Sequence, residues 1–139
     1  MKSTLTFSVA LIVFILMGCS STKTSNPLKI LTSKSWELSS LMGKGLDMNQ
    51  YTAGIPTLHF LEGGKLSGYS GCNNFSGNFS LEESGIKLDP GAITKKMCPG
   101  SAEEDFITAL NKVGDLKISR EKLILLDGST ELMSFVPRN

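Results

Sequence analysis

Three cysteines and one histidine carry most of the reactive side-chain chemistry in this 139-residue chain. Cys19 stands at the end of an apolar run, whereas Cys72 and Cys98 lie in the body of the sequence and form no CxxC motif. Two cysteines and His59, with no matched fourth ligand, make a poor zinc site, so no metal is expected. His59 sits in the segment Thr-Leu-His-Phe-Leu, where strand alternation puts Leu58 and Phe60 on one face and the imidazole on the other. That is the setting of an exposed strand residue rather than of a general base. Triads are assembled in space, but no GxSxG nucleophile elbow occurs. No catalytic residue and no cofactor is expected, and the chain is not expected to be an enzyme.

Cys19 has a different chemistry. Residues 1–18 place Lys2 near the amino terminus, then an uninterrupted apolar run from Val9 to Met17, then Gly18. This is the pattern of a signal peptide. Nine apolar residues are too few for a membrane span, which needs ~20. Leu16-Met17-Gly18-Cys19 resembles the lipobox of bacterial lipoproteins, which implies removal of residues 1–18 and lipidation of the Cys19 thiol. An ordinary cleaved signal with an incidental cysteine is the alternative. Several acyl chains anchor firmly where one would not, because each buried CH₂ contributes ~0.8 kcal/mol. The expected location is the bacterial cell envelope, with Cys19 in the membrane; Ser20 is compatible with the periplasmic face of an outer membrane. Residues 19–27 read as the lipidated cysteine and a flexible polar tether, and residues 28–139 as one folded domain.

Export bears on the other two cysteines. In an oxidising compartment Cys72 and Cys98 are expected to form a structural disulfide, with two buried thiols or a reactive pair as the alternatives.

Composition narrows the partners. Fourteen basic and thirteen acidic residues give a net charge of +1, and loss of Lys2 with the leader would leave the signs balanced. No basic footprint for nucleic acid is present. Lys95-Lys96 reads as a solvated pair rather than an anion site.

These residues must be positioned by strands. Trp36 to Met42, Thr57 to Leu61, Leu66 to Cys72, Phe75 to Leu81 and Ile86 to Leu88 read as strands, with Ala92 to Cys98 as one more candidate. Glu62-Gly63-Gly64-Lys65 reads as a hairpin turn. Ser101-Ala102-Glu103-Glu104 has capping-box spacing, and Phe106, Ala109, Leu110 and Val113 recur at helical spacing, with Gly114 placed to close the helix in the left-handed conformation. Leu116 to Ser119, Leu123 to Asp127 and Glu131 to Val136 follow as a meander. The expected fold is mainly β (α+β): a small antiparallel β-barrel-like domain of about eight strands, with one helix inserted before the last three. A barrel of that size either fills with side chains or holds one small apolar ligand.

Gly68-Tyr69-Ser70-Gly71-Cys72-Asn73-Asn74-Phe75-Ser76-Gly77-Asn78-Phe79, followed by Thr94-Lys95-Lys96-Met97-Cys98, resembles the signature of the META domain family, which includes HslJ-like proteins. Gly71, Asn73, Phe75, Gly77, Thr94 and Met97 carry the resemblance, together with the two cysteines. Phe79 departs from it, standing where the family often has Tyr. The resemblance spans residues 28 to 136 and implies a barrel-like domain with a helix, common on bacterial lipoproteins. It implies no defined reaction or ligand, only a loose link to envelope stress and antimicrobial tolerance. From the residues themselves, Gly71, Asn73 and Gly77 read as backbone requirements at a bulge or tight corner, with the Asn side chain serving its local backbone; a recognition loop is the alternative.

Two functional expectations follow. One is a lipid-anchored envelope domain that binds a protein or envelope component. The other is a carrier or sensor of a small apolar ligand inside the barrel.

Overall fold

The computed structural model describes residues 26–139. The signal peptide, Cys19 and all but the last two residues of the tether lie outside the described residues. A short helix α1 (Pro27–Thr32) opens the domain. The Asn26 side chain accepts a hydrogen bond from the Leu28 amide at 3.0 Å, and Pro27 occupies the first turn, where its missing N–H costs nothing. Its one buried side chain is Leu31, whose carbonyl accepts from Trp36 Nε1 at 3.1 Å.

Among the described residues nine strands follow in one antiparallel sheet: β1 (Ser35–Leu41), β2 (Lys44–Gly45), β3 (Thr57–Leu61), β4 (Lys65–Tyr69), β5 (Asn74–Glu82), β6 (Gly85–Ile93), β7 (Asp115–Ile118), β8 (Leu123–Asp127) and β9 (Thr130–Arg138). A single 3₁₀ turn, Met48–Gln50, precedes β3, and helix α2 (Ala102–Lys112) precedes β7. The order across the sheet is β6-β5-β4-β3-β1-β9-β8-β7, with β2 paired to β1. The expected helix before the last three strands is therefore present.

The sheet curls into a half-barrel. Its first and last strands meet near Gly114, whose carbonyl accepts from the Ile86 amide at 3.2 Å. Gly85 permits this approach, since a Cβ there would fall 2.0 Å from the Gly114 oxygen. Helix α2 packs Ala102, Phe106, Ala109 and Leu110 against the sheet, one stripe at helical spacing. The interior is filled: Trp36, Phe60, Phe106, Phe135, Leu58 and Met133 are all buried, and Phe60 meets Phe79 edge to face at 5.0 Å. A phenylalanine at position 79 suits this enclosed site, where a phenol would need a partner.

Several local expectations need correction. The strand expected through Cys72 ends at Tyr69, and of Ala92 to Cys98 only Ala92 and Ile93 belong to β6; residues 94–98 form an irregular loop. Ser101 caps no backbone amide, because its hydroxyl donates instead to Asp105 Oδ2 at 2.9 Å. Gly114 is not left-handed. The helix ends on extended Val113, and Gly114 serves the seam between β6 and β8 through its amide and carbonyl.

Candidate functional site

Four of the family-signature residues, Gly71, Asn73, Thr94 and Met97, belong to the corner between β4 and β5 or to the loop held against it. Ser70 closes the corner: its amide donates to the Asn73 carbonyl at 2.8 Å, and its hydroxyl oxygen accepts from the Asn73 amide at 2.9 Å. Between them Gly71 adopts φ +96°, with Tyr51 and Pro56 packed directly against it. The corner is buried, with Ser70 and Asn73 almost wholly shielded from solvent.

Asn73 uses its whole side chain to hold distant chain. Its Oδ1 accepts from the Lys96 amide at 2.7 Å and from Thr94 Oγ1 at 2.9 Å. Its Nδ2 donates to the Lys96 carbonyl at 2.9 Å and to both Glu103 oxygens at 3.0 Å. Ser70 Oγ lies 2.7 Å from the same Glu103 carboxylate. These are long-range bonds, not the local backbone service expected of the Asn side chain. The residue satisfies both backbone polar groups of Lys96, which otherwise belong to no ladder.

A disulfide completes the clamp. Cys72 and Cys98 are bonded, with Cα atoms 5.9 Å apart. The segment from Thr94 to Cys98 is thus fixed at Thr94, Lys96 and Cys98. Met97, between two fixed points, is 94% exposed, while Met133 of the core is fully buried. Glu103 lies within the capping-box stretch Ser101–Glu104, which marks a helix start in the sequence and says nothing of a partner at Asn73.

Gly77 and Phe75 act elsewhere. Gly77 is a close-approach position, since a Cβ there would meet the Asp89 carbonyl at 2.0 Å across β6. Phe75 is buried and tilts against Phe106 with ring centroids 6.3 Å apart, linking the corner to α2. The corner, loop and start of α2 border a cleft of ≈ 470 Å³, whose lining includes Thr52, Lys95, Met97, Glu103 and Ile107. Burial, and then the nearby Asp105 carboxylate, raise the Tyr51 phenol above its ordinary value.

His59 stands apart from this corner. It is half-buried on the opposite face of β3 from Leu58 and Phe60, and burial, then the Arg138 charge, lower its pKa. A second, shallower groove of ≈ 790 Å³ runs past it. Among the described residues, no group of three or more His, Cys, Asp or Glu side chains is placed to hold a metal ion, and no helix is long and apolar enough to cross a membrane.

The META domain model matches residues 29–139. No curated protein sequence matches the chain. Among solved structures, an NMR structure aligns at TM-score 0.63 and 20% identity, covering 81% of this chain and 95% of that one. A protein from Burkholderia xenovorans, also solved by NMR, aligns at TM-score 0.62 and 19% identity over 81% of this chain and 86% of its own. The crystal structure of a DUF4847 family protein from Bacteroides vulgatus ATCC 8482 aligns at TM-score 0.60 and 17% identity, over 80% and 98%. At these identities the likeness is one of fold.

Proposed function

This chain belongs to the META domain family, and we propose that it is a non-enzymatic, lipid-anchored cell-envelope domain that binds a protein or envelope component through the loop from Thr94 to Cys98. The supporting observation is Met97, 94% exposed on a segment clamped on both sides. A large flexible apolar side chain gains nothing in water, and a fixed loop presents it at little further entropy cost on binding. Lys95 and Lys96 immediately precede it, so the fitting partner has an apolar pocket with an acidic rim on one side. Lipidation at Cys19 would hold the domain at the membrane, in keeping with the lipobox-like Leu16-Met17-Gly18-Cys19. A role in envelope stress or antimicrobial tolerance would operate through that partner. The non-enzymatic reading draws on other residues: Cys72 and Cys98 are bonded to each other, and His59 lies on another face from Ser70 and Glu103.

The test is photo-crosslinking in intact cells from position 97, with position 81 on β5 as the comparison, in the wild-type and Cys19→Ala backgrounds. The proposal expects a discrete adduct from 97, none from 81, and loss of both membrane retention and adduct in Cys19→Ala. Equal adducts from both positions, or soluble wild-type protein with an unmodified amino terminus, would refute it.

A further inference from the structure

The outer face of the sheet carries a second, unrelated arrangement. Strand register aligns Val136, Glu37, Thr57, Tyr69 and Asn74 in one row across β9, β1, β3, β4 and β5. The neighbouring row runs Arg138, Ser35, His59, Ser67 and Ser76 across the same five strands. Successive side chains of a strand alternate between faces, so both rows lie opposite the core residues Trp36, Leu58 and Leu66. Four inter-strand gaps of ~4.8 Å give the rows a length of ~19 Å, enough for more than one sugar ring. Between them runs the groove of ≈ 790 Å³, whose lining includes Glu37, Thr57, His59, Ser67, Asn74 and Arg138.

Thr57 is the informative residue. It is only 3% exposed, yet its hydroxyl has no hydrogen-bond partner among the described residues. No fully enclosed side-chain polar atom of the described residues lacks a partner, so this hydroxyl opens into the groove rather than into the core. A nearly buried polar group without a partner is costly unless something outside satisfies it. His59 and Ser67, half-buried, and Asn74, exposed, line the same groove. Charge is balanced locally, because Glu37 Oε2 lies 3.6 Å from Arg138 Nε.

We infer that this groove is a binding site for a neutral oligosaccharide. Hydroxyl, amide and imidazole groups in parallel rows offer alternating donors and acceptors, as a polyhydroxylated chain requires. The lowered pKa of His59 keeps its ring neutral near pH 7, and the Glu37–Arg138 pair cancels its own charge, so an anion finds no net attraction. The site is independent of the Met97 loop, and either reading can fail without the other.

The test is calorimetric titration of the full chain in detergent with the trimers of β-1,4-linked N-acetylglucosamine, β-1,4-linked glucose and α-1,4-linked glucose, and with inorganic phosphate. At least one trimer should bind saturably at roughly millimolar Kd or tighter. Thr57→Val, which keeps the branched shape, and Asn74→Ala should each weaken that binding at least fivefold with the melting midpoint unchanged. Phosphate should neither bind nor compete. Failure of all three trimers, equal binding by both variants, or competition by phosphate would each overturn the assignment.

Discussion

The side-chain amide of Asn73 lies 3.0 Å from both carboxylate oxygens of Glu103, thirty residues further along the chain, while the same amide holds the Lys96 carbonyl at 2.9 Å. One residue of the β4–β5 corner therefore ties the start of α2 and the loop before it to the sheet. Asn73→Ala should cost about 2–3 kcal/mol, since it leaves both backbone groups of Lys96 and the Glu103 carboxylate short of partners. The check is thermal unfolding, in which the midpoint should fall by roughly 10 °C. Asn73→Asp should cost more at pH 7 than at pH 4, because it sets a second carboxylate against Glu103.

The disulfide closes a loop between residues 26 apart, so Cys72→Ser with Cys98→Ser should cost ~3.5 kcal/mol in the chain-entropy model. Asn73 and the disulfide hold the same segment. Adding Asn73→Ala to the double serine variant should therefore depart from additivity in a double-mutant cycle by denaturant unfolding. Strict additivity would mean that the two clamps act on separate elements.

Gly71 and Gly77 are required for different reasons, and substitution separates them. Gly71→Ala meets a positive φ and a Tyr51 ring carbon 3.3 Å away, which should cost about 1–2 kcal/mol. Gly77→Ala would place its Cβ 2.0 Å from the Asp89 carbonyl and must push β5 and β6 apart. The larger loss of stability should belong to Gly77→Ala, measured by the same unfolding midpoints. The reverse order would contradict the close approach.

His59 makes stability depend on pH. Burial and Arg138 lower its pKa in the folded chain below the ordinary value of 6.5. The unfolded chain then binds more protons just below that value, so stability rises with pH there. The contribution is fully present above about pH 6.5 and is lost as pH falls toward the folded pKa. His59→Gln should flatten this part of the stability profile, and an unchanged slope would assign it to other groups.

Much of the architecture was legible because it rests on local signals. Leu58 and Phe60 alternate with His59, the glycines at 63 and 64 turn a hairpin, and Phe106, Ala109 and Leu110 mark one helix face. Helix α1 was missed although Asn26-Pro27 is a cap followed by a first-turn proline, because the polar run before it reads as tether. The corner at Gly71 was legible as a backbone requirement, but the targets of Asn73 were not. Lys96 and Glu103 lie 23 and 30 residues away, and no local pattern specifies which distant groups an amide will meet. The same limit hid the outer-face rows, which exist only once Glu37, Thr57, Tyr69 and Asn74 are set in register.

The central claim is that Asn73 holds the loop that presents Met97. Amide hydrogen exchange at Lys96 tests it most directly, because this amide donates to Asn73 Oδ1 at 2.7 Å and belongs to no strand. The account predicts slow exchange at Lys96 in the wild-type chain and a large acceleration in Asn73→Ala, with the core amides of β3 still protected. Exchange at Lys96 as fast in the wild type as in an unstructured chain would contradict it.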